Sequence, residues 1–144
     1  IVGDGDLKKQ LSEYILNLNL KNKVILTGWK KNLKKYYQNA SIFVLPSLYE
    51  GLGNVIIDAV NFEIPTIVTN CKSGPNEIIL QNKGGYIVPI SSPEKLSGKI
   101  LYAINNYSFS KTKALYSKKH LNRFLCETNS MKYLNFLKKI FYGN

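Results

Sequence analysis

Apolar positions along this chain alternate between two rhythms. Ile1-Val2 reads as the end of a buried strand, and Gly3-Asp4-Gly5-Asp6 as the turn after it. Leu7, Leu11, Tyr14, Ile15 and Leu18 recur at helical spacing and predict an amphipathic helix over 7–18. Val24-Ile25-Leu26-Thr27 is a short apolar run stopped by Gly28, the mark of a strand. The alternation repeats with a polar helix over 33–40, whose Tyr36, Tyr37 and Ala40 can face inward, and the run Ile42-Phe43-Val44-Leu45 closed by Pro46. A helix over 54–62 leads to a strand over 65–69, Gly74-Pro75 opens a short helix, and Gly84 to Val88 forms a last strand. Ser92-Pro93-Glu94 starts a further helix, with Ser92 as N-cap and the proline just inside it. Residues 110–141 read as helix throughout.

Continuous apolar runs separated by helices suit strands that are buried on both faces. The expected fold class is therefore α/β, a Rossmann-like parallel sheet with helices on both faces. It is expected over residues 1–106, with basic carboxy-terminal helices over 107–144 packing on it or crossing from it. Tyr107-Ser108-Phe109-Ser110 is the one stretch that reads as a joint.

Charge changes this picture more than size does. The 144 residues suit one domain or a large fragment of one. Twenty cations against nine carboxylates give +11, and 19 of the 20 are lysine, Arg123 being the exception. Such a charge attracts nucleic acid, an anionic membrane face or a phosphorylated substrate. Lysine beside 16 asparagines also fits a biased composition that fills solvated faces. Readers of DNA sequence rely on arginine for bidentate base contacts, so nucleic acid is the weakest of these partners. Cys71 and Cys126 lie 55 residues apart and match no metal spacing, and His120 alone cannot complete a zinc site. Free thiols in a reducing compartment are expected. No run approaches the ~18 apolar residues of a membrane span. The chain starts at Ile1, and its one methionine is Met131, so it is expected to be part of a longer protein or to have a processed start.

Open α/β sheets bind ligands at the carboxyl ends of their strands. The loops that follow the strands are rich in glycine and polar groups, and the loop from Pro46 to Asn54 is the most informative. Gly51 and Gly53 let backbone approach a ligand with no side chain between. The helix that follows offers free N–H groups and a partial positive charge to a phosphate. Glu50, just before it, would repel phosphate and suits sugar hydroxyls instead. Asn54, Asp58 and Asn61 fall at i, i+4 and i+7, a polar stripe in which Asp58 can accept from a diol such as ribose. The plainer reading is a turn, a helix start and a solvent face. The next loop, Lys72 to Glu77, reads either as a second set of backbone amides or as a turn with a cap. Trp29 suits stacking on a base or a half-buried core position. Asp4 and Asp6 read as turn residues and His120 as a surface histidine.

The run from Pro46 to Ala59 resembles the signature of family 4 retaining glycosyltransferases, two acidic residues separated by seven positions, here Glu50 and Asp58. Ile1-Val2-Gly3-Asp4-Gly5, Val24 to Gly28, Pro65 to Val68 and Ser73 to Ile79 support it in order and spacing, over about residues 1–104. The resemblance implies the GT-B architecture, two Rossmann-like domains across a cleft, with this chain as most of the carboxy-terminal, donor-binding one. By resemblance, Glu50 is the catalytic-site acid that holds the donor sugar. Backbone at Gly51, Leu52 and Gly53 would hold the diphosphate, with Asn54 beside it, and Asp58 would bind the ribose. Gly28, Trp29 and Lys30 would lie near the base. No metal or cofactor is expected, because the helix start and basic side chains meet the charge of the leaving group.

Three departures follow. Asp58 stands where the family more often has glutamate, one methylene longer. The family's first, central strand of this domain and its basic Arg/Lys pair are absent. So is the amino-terminal acceptor domain. The expected activity is transfer of a hexosyl or N-acetylhexosaminyl group from a nucleotide-diphosphate sugar to a glycan or lipid-linked acceptor with retention, in cell-envelope polysaccharide assembly. This fragment alone is expected to be inactive. The expected location is the cytoplasm, with peripheral contact at the inner membrane face. The alternatives are an inactive nucleotide-sugar-binding or interaction module and, least favoured, a nucleic-acid binder.

Overall fold

The computed structural model describes residues 1–143. The backbone forms two compact units, the first Ile1–Tyr36 and the second beginning at Tyr37.

In the first unit, α1 (Lys8–Asn17) forms where helical spacing predicts it, yet none of its residues is buried. The expected strand over 24–27 is not built as a ladder. Ile1 donates to Ile25 O at 2.6 Å and accepts from Thr27 N at 3.0 Å, the bracketing that a parallel pair uses. Beyond it there is one isolated bridge, Gly3 to Gly28, and it is antiparallel. Val24 to Thr27 has a strand's composition, but a strand needs a run of paired neighbours, and Ile1 to Gly3 supplies only a short one. The unit also holds α2 from Lys34, which runs to Asn39 and so enters the second unit.

The second unit carries the sheet. Strands β1 (Phe43–Leu45), β2 (Thr66–Thr69) and β3 (Tyr86–Val88) run parallel in the order β1-β2-β3. The register sets Val44 beside Ile67 and Val68 beside Ile87. The connections are α3 (Asn54–Asn61) and α4 (Pro75–Ile78); α5 (Pro93–Asn105) and α6 (Tyr107–Lys119) follow β3. Side chains alternate across the strands, so each face buries its own cluster. Val68 packs with Ile56, Val60, Ile78 and Ile79 from α3 and its neighbours, and Phe43 and Leu45 join them. On the other face Ile67, Tyr86 and Val88 pack with Ala103 of α5, joined by Ile42 and Val44. Each fully buried isoleucine contributes about 1.5–3 kcal/mol. Central β2 is buried along its length, whereas β1 is half-buried and its outer edge carries no strand among the described residues.

The carboxy-terminal region is not one helix. A 3-10 turn, Leu121–Phe124, separates α6 from α7 (Cys126–Tyr142). From this turn the Arg123 guanidinium donates to Glu77 O and, at 3.1 Å, to Ile78 O, closing the end of α4. Leu125 is then extended. Helix α6 is tied to the end of α3 through Glu63, which accepts from Lys118 at 2.7 Å and lies 3.6 Å from Lys111. Both lysines hold its carboxyl below the usual glutamate range, the Lys118 hydrogen bond contributing most. Ser92 does precede α5, but its side chain makes no capping bond. No helix of the described residues is long and apolar enough to cross a membrane.

Candidate functional site

The site on the second unit starts where β1 ends. Pro46 stops the strand and the chain loops to α3, with Gly53 at φ 78° as the residue before the helix. That left-handed conformation is open to glycine at little cost. Gly53 has no side chain with which to cap the helix, so no side-chain group occupies the first amides of α3. Glu50 lies beside this helix start, with one carboxylate oxygen 4.0 Å from where a Cβ on Gly53 would stand. Its other oxygen accepts from Ser47 Oγ at 2.8 Å, and its carbonyl accepts from Ser73 Oγ at 2.9 Å. The serine bond fixes the carboxylate, while Oε2 keeps its lone pairs for a hydroxyl donor.

The loop after β2 buttresses this arrangement. Gly74 has φ 76°, and a Cβ there would lie 1.9 Å from Gly51 O and 2.7 Å from Leu52 O. The two loops therefore meet backbone to backbone. Ser47 O accepts from Thr69 Oγ1 and, at 3.0 Å, from Cys71 Sγ. Asn70 and Asn76 bond at 2.6 Å across the start of α4. Cys71 is thus a buried structural thiol, and Cys126 is free and exposed.

Asn54 and Asp58 stand exposed on one side of α3. With Asn61 they floor a groove of about 530 Å³ whose opposite wall is Lys118, Asn122, Phe124 and Leu125. Asp58 also acts on Tyr37, which stacks on Phe62 at 5.4 Å and donates to Val55 O at 3.3 Å. Burial, with the Asp58 charge added, pushes the Tyr37 hydroxyl up to about 12.

The first unit holds the other three candidates. Gly28 is buried, Lys30 is exposed, and Trp29 is 70% exposed, which removes the core reading of the indole. Asp4 is more than a turn residue. It accepts from Lys8 Nζ at 3.0 Å and from Gly5 N at 3.0 Å, and these bonds, Lys8 foremost, hold its carboxyl below the usual range. His120 is a surface histidine bonded to Tyr116 O at 2.8 Å.

Glu50, Gly51, Leu52, Gly53 and Asn54 thus form one cluster at the start of α3, with Asp58 one turn along the helix. Gly28, Trp29 and Lys30 are consecutive residues of the first unit. Ser47, Ser73 and Tyr37 are the supporting residues that sequence reading missed. Ser47 left a signal, since it stands three residues before Glu50 in the same loop. Ser73 and Tyr37 reach the site only through the tertiary fold.

Comparison with known proteins places the chain in a family. An uncharacterised glycosyltransferase of Methanocaldococcus jannaschii is 48% identical over 79 residues, 55% of this chain and 20% of that protein. The UDP-Gal:alpha-D-GlcNAc-diphosphoundecaprenol alpha-1,3-galactosyltransferase of Escherichia coli is 28% identical over 142 residues, 98% of this chain and 35% of that protein. The crystal structure of TarM superimposes with a TM-score of 0.84 at 27% identity, covering 94% of this chain and 27% of that one. The chain therefore spans about a third or less of the length of these relatives. The description "Glycosyl transferases group 1" matches residues 1–128, which take in both units' candidate residues. On that match, and on the half GT-B fold that it shares with TarM, the chain belongs to the group 1 glycosyl transferases.

Proposed function

We propose that this chain is the donor-binding part of a retaining transferase. It would move a hexosyl or N-acetylhexosaminyl group from a nucleotide-diphosphate sugar to a glycan or lipid-linked acceptor at the inner face of the cytoplasmic membrane. The observation that carries the reading is Glu50, a carboxylate steadied by Ser47 beside the uncapped start of α3. The Escherichia coli relative, whose name gives a UDP-sugar donor and a diphosphoundecaprenol-linked acceptor, supports the substrate class.

The division of labour follows from charge. Glu50 accepts from donor-sugar hydroxyls through Oε2, and its negative charge keeps the diphosphate off its own position. The diphosphate sits instead on backbone N–H groups around Gly51, Leu52 and Gly53, where the positive end of α3 stabilises the charge that grows as the glycosidic bond breaks. Asp58 accepts from the ribose diol. On the first unit, Trp29 offers an exposed ring suited to stacking on a base, with Gly28 and Lys30 next to it in sequence. No metal is assigned a step.

The test is calorimetric titration of wild type and Glu50→Ala with UDP, GDP, UDP-glucose and UDP-N-acetylglucosamine. Wild type is expected to prefer one uridine sugar over UDP. Glu50→Ala should lose that preference, by about 10-fold for one charge-assisted hydrogen bond, and keep its affinity for UDP. Equal loss for UDP and UDP-sugar would remove the assigned role of Glu50. Failure of the wild-type chain to bind any of the four would remove the donor-site reading.

A further inference from the structure

Glu50 is held at two places by different groups. Its main-chain carbonyl accepts from Ser73 Oγ at 2.9 Å, and the next residue, Gly51, meets Gly74 backbone to backbone. Its carboxylate is held by Ser47, whose Oγ donates to Oε1 at 2.8 Å. Ser47 is fixed in turn by the end of β2. Its carbonyl accepts from the Thr69 hydroxyl and, at 3.0 Å, from Cys71 Sγ, and the two lone pairs of the oxygen accommodate both. The Thr69 hydroxyl has one proton to give. Leu45 O lies farther off, at 3.4 Å, so the geometry favours the bond to Ser47 O. Thr69 is 4% exposed, at the end of a strand that is buried along its length. Valine has the same branched shape and would fill the same space, without a hydroxyl that costs free energy to bury unless it is bonded. What threonine adds here is the tie to Ser47.

We propose that Thr69 is a positioning residue for the donor sugar, acting through Ser47 on the Glu50 carboxylate. The inference rests on the donor-site reading and deepens it, placing the origin of sugar preference at the end of the central strand, two contacts away from the acid. Thr69 is too buried to touch a ligand itself. A carboxylate held by one oxygen keeps the other aimed, whereas a free one gives up rotamer freedom each time it grips a hydroxyl. The two anchors also divide the site. Ser73 and Gly74 tie the backbone on which the diphosphate is proposed to sit, and Thr69 and Ser47 tie the carboxylate that reads the sugar. Sugar preference and affinity for the bare nucleotide should therefore come apart when Thr69 is changed.

The experiment is calorimetric titration of the full chain with UDP, UDP-glucose and UDP-N-acetylglucosamine, read as the ratio of affinity for the preferred sugar nucleotide to affinity for UDP. Thr69→Val should lower that ratio by about two- to tenfold, the worth of one neutral hydrogen bond, with UDP affinity unchanged. Thr69→Ser keeps the hydroxyl and should keep the wild-type ratio. Ser47→Ala should lower the ratio by a similar factor, and Thr69→Val combined with Ser47→Ala should lower it no further, because both act along one line of contacts. Urea melts check that each variant folds. If Thr69→Val does not, Ser47→Ala reads the same line from a half-buried loop, and an unchanged ratio there overturns the proposal. Equal weakening of UDP and the sugar nucleotide by Thr69→Val also overturns it, since that marks a general loosening of the loop, as does an additive loss in the double variant. A wild-type chain that does not distinguish UDP from either sugar nucleotide removes the donor-site reading itself. A wild-type preference that Glu50→Ala abolishes and Thr69→Val leaves intact overturns this inference alone.

Discussion

Two glycines of the site should respond in opposite ways to the same added methyl group, and the contrast separates building the site from using it. At Gly74 a Cβ would stand 1.9 Å from Gly51 O, while real Cβ contacts essentially never fall under 3.0 Å. The loops after β1 and β2 would have to part by about 1 Å in a region without slack, an overpacking that costs roughly 1–3 kcal/mol. The backbone at φ 76°, ψ −74° adds about 1–3 kcal/mol for a residue with a side chain. Gly74→Ala should therefore destabilise the chain by about 2–6 kcal/mol, a large share of the 5–15 kcal/mol of a typical domain. With a urea slope near 2 kcal/mol per molar, the midpoint falls by roughly 1–3 M. At Gly51 a Cβ meets nothing within 4 Å and φ is not positive, so Gly51→Ala should melt within about 0.5 kcal/mol of wild type. The same methyl would stand at the proposed diphosphate seat, and losing one charge-assisted hydrogen bond there should weaken UDP about 10-fold or more. Urea melts followed by circular dichroism and UDP titrations of both variants decide the matter. A Gly74→Ala protein with the wild-type midpoint would refute the packing argument. A stable Gly51→Ala protein with wild-type UDP affinity would refute the diphosphate seat.

Two pH effects follow from side chains beside the site. The Glu63 carboxyl is depressed in the folded chain, so its contribution is complete above the ordinary glutamate pKa near 4.5 and is lost as pH falls through the lower folded value. Glu63→Gln should flatten the acid limb of stability against pH, measured by urea melts across that range, and an unchanged limb would contradict the ion pairs with Lys118 and Lys111. Tyr37 is raised from 10.0 to about 12, so the stability that it supplies is complete below pH 10 and is lost as pH rises through 12. The loss approaches about 3 kcal/mol, two pKa units, and Tyr37→Phe should abolish that part of the alkaline limb. A fluorescence-detected alkaline melt with the same slope in both proteins would show that Tyr37 titrates normally.

The parts legible in the sequence were those decided locally. The runs Ile42 to Leu45 and Pro65 to Thr69 announced themselves because β2 is covered on both faces, and Pro46 and Gly74 marked where chain must turn. The grouping of Glu50 to Asn54 was legible because these residues lie within one loop and one helix start. What escaped depended on distant partners. Val24 to Thr27 has a strand's composition, but the ladder belongs to its neighbours. The helix expected over 110–141 is interrupted at Leu121–Phe124, where the Arg123 side chain meets carbonyls 45 and 46 residues away. The steadying of Glu50 by Ser73, and the approach of Tyr37 to Asp58, exist only once β1 and β2 are paired.

The outer edge of β1 has a consequence for the chain in concentrated solution. Phe43-Val44-Leu45, extended by Ile42, is a short uncharged run of high β-propensity, and its outer side offers hydrogen bonds to no strand of its own sheet. Such an edge is a template for another strand. Its pairing between molecules is second order in protein, whereas folding is first order, so dilution during refolding favours the monomer and concentration favours aggregates seeded at this edge. A charged residue at Val44 would act as a gatekeeper there, but Val44 also packs against the Ile67 cluster. The residue that exposes this chain to self-association is also one that its core requires.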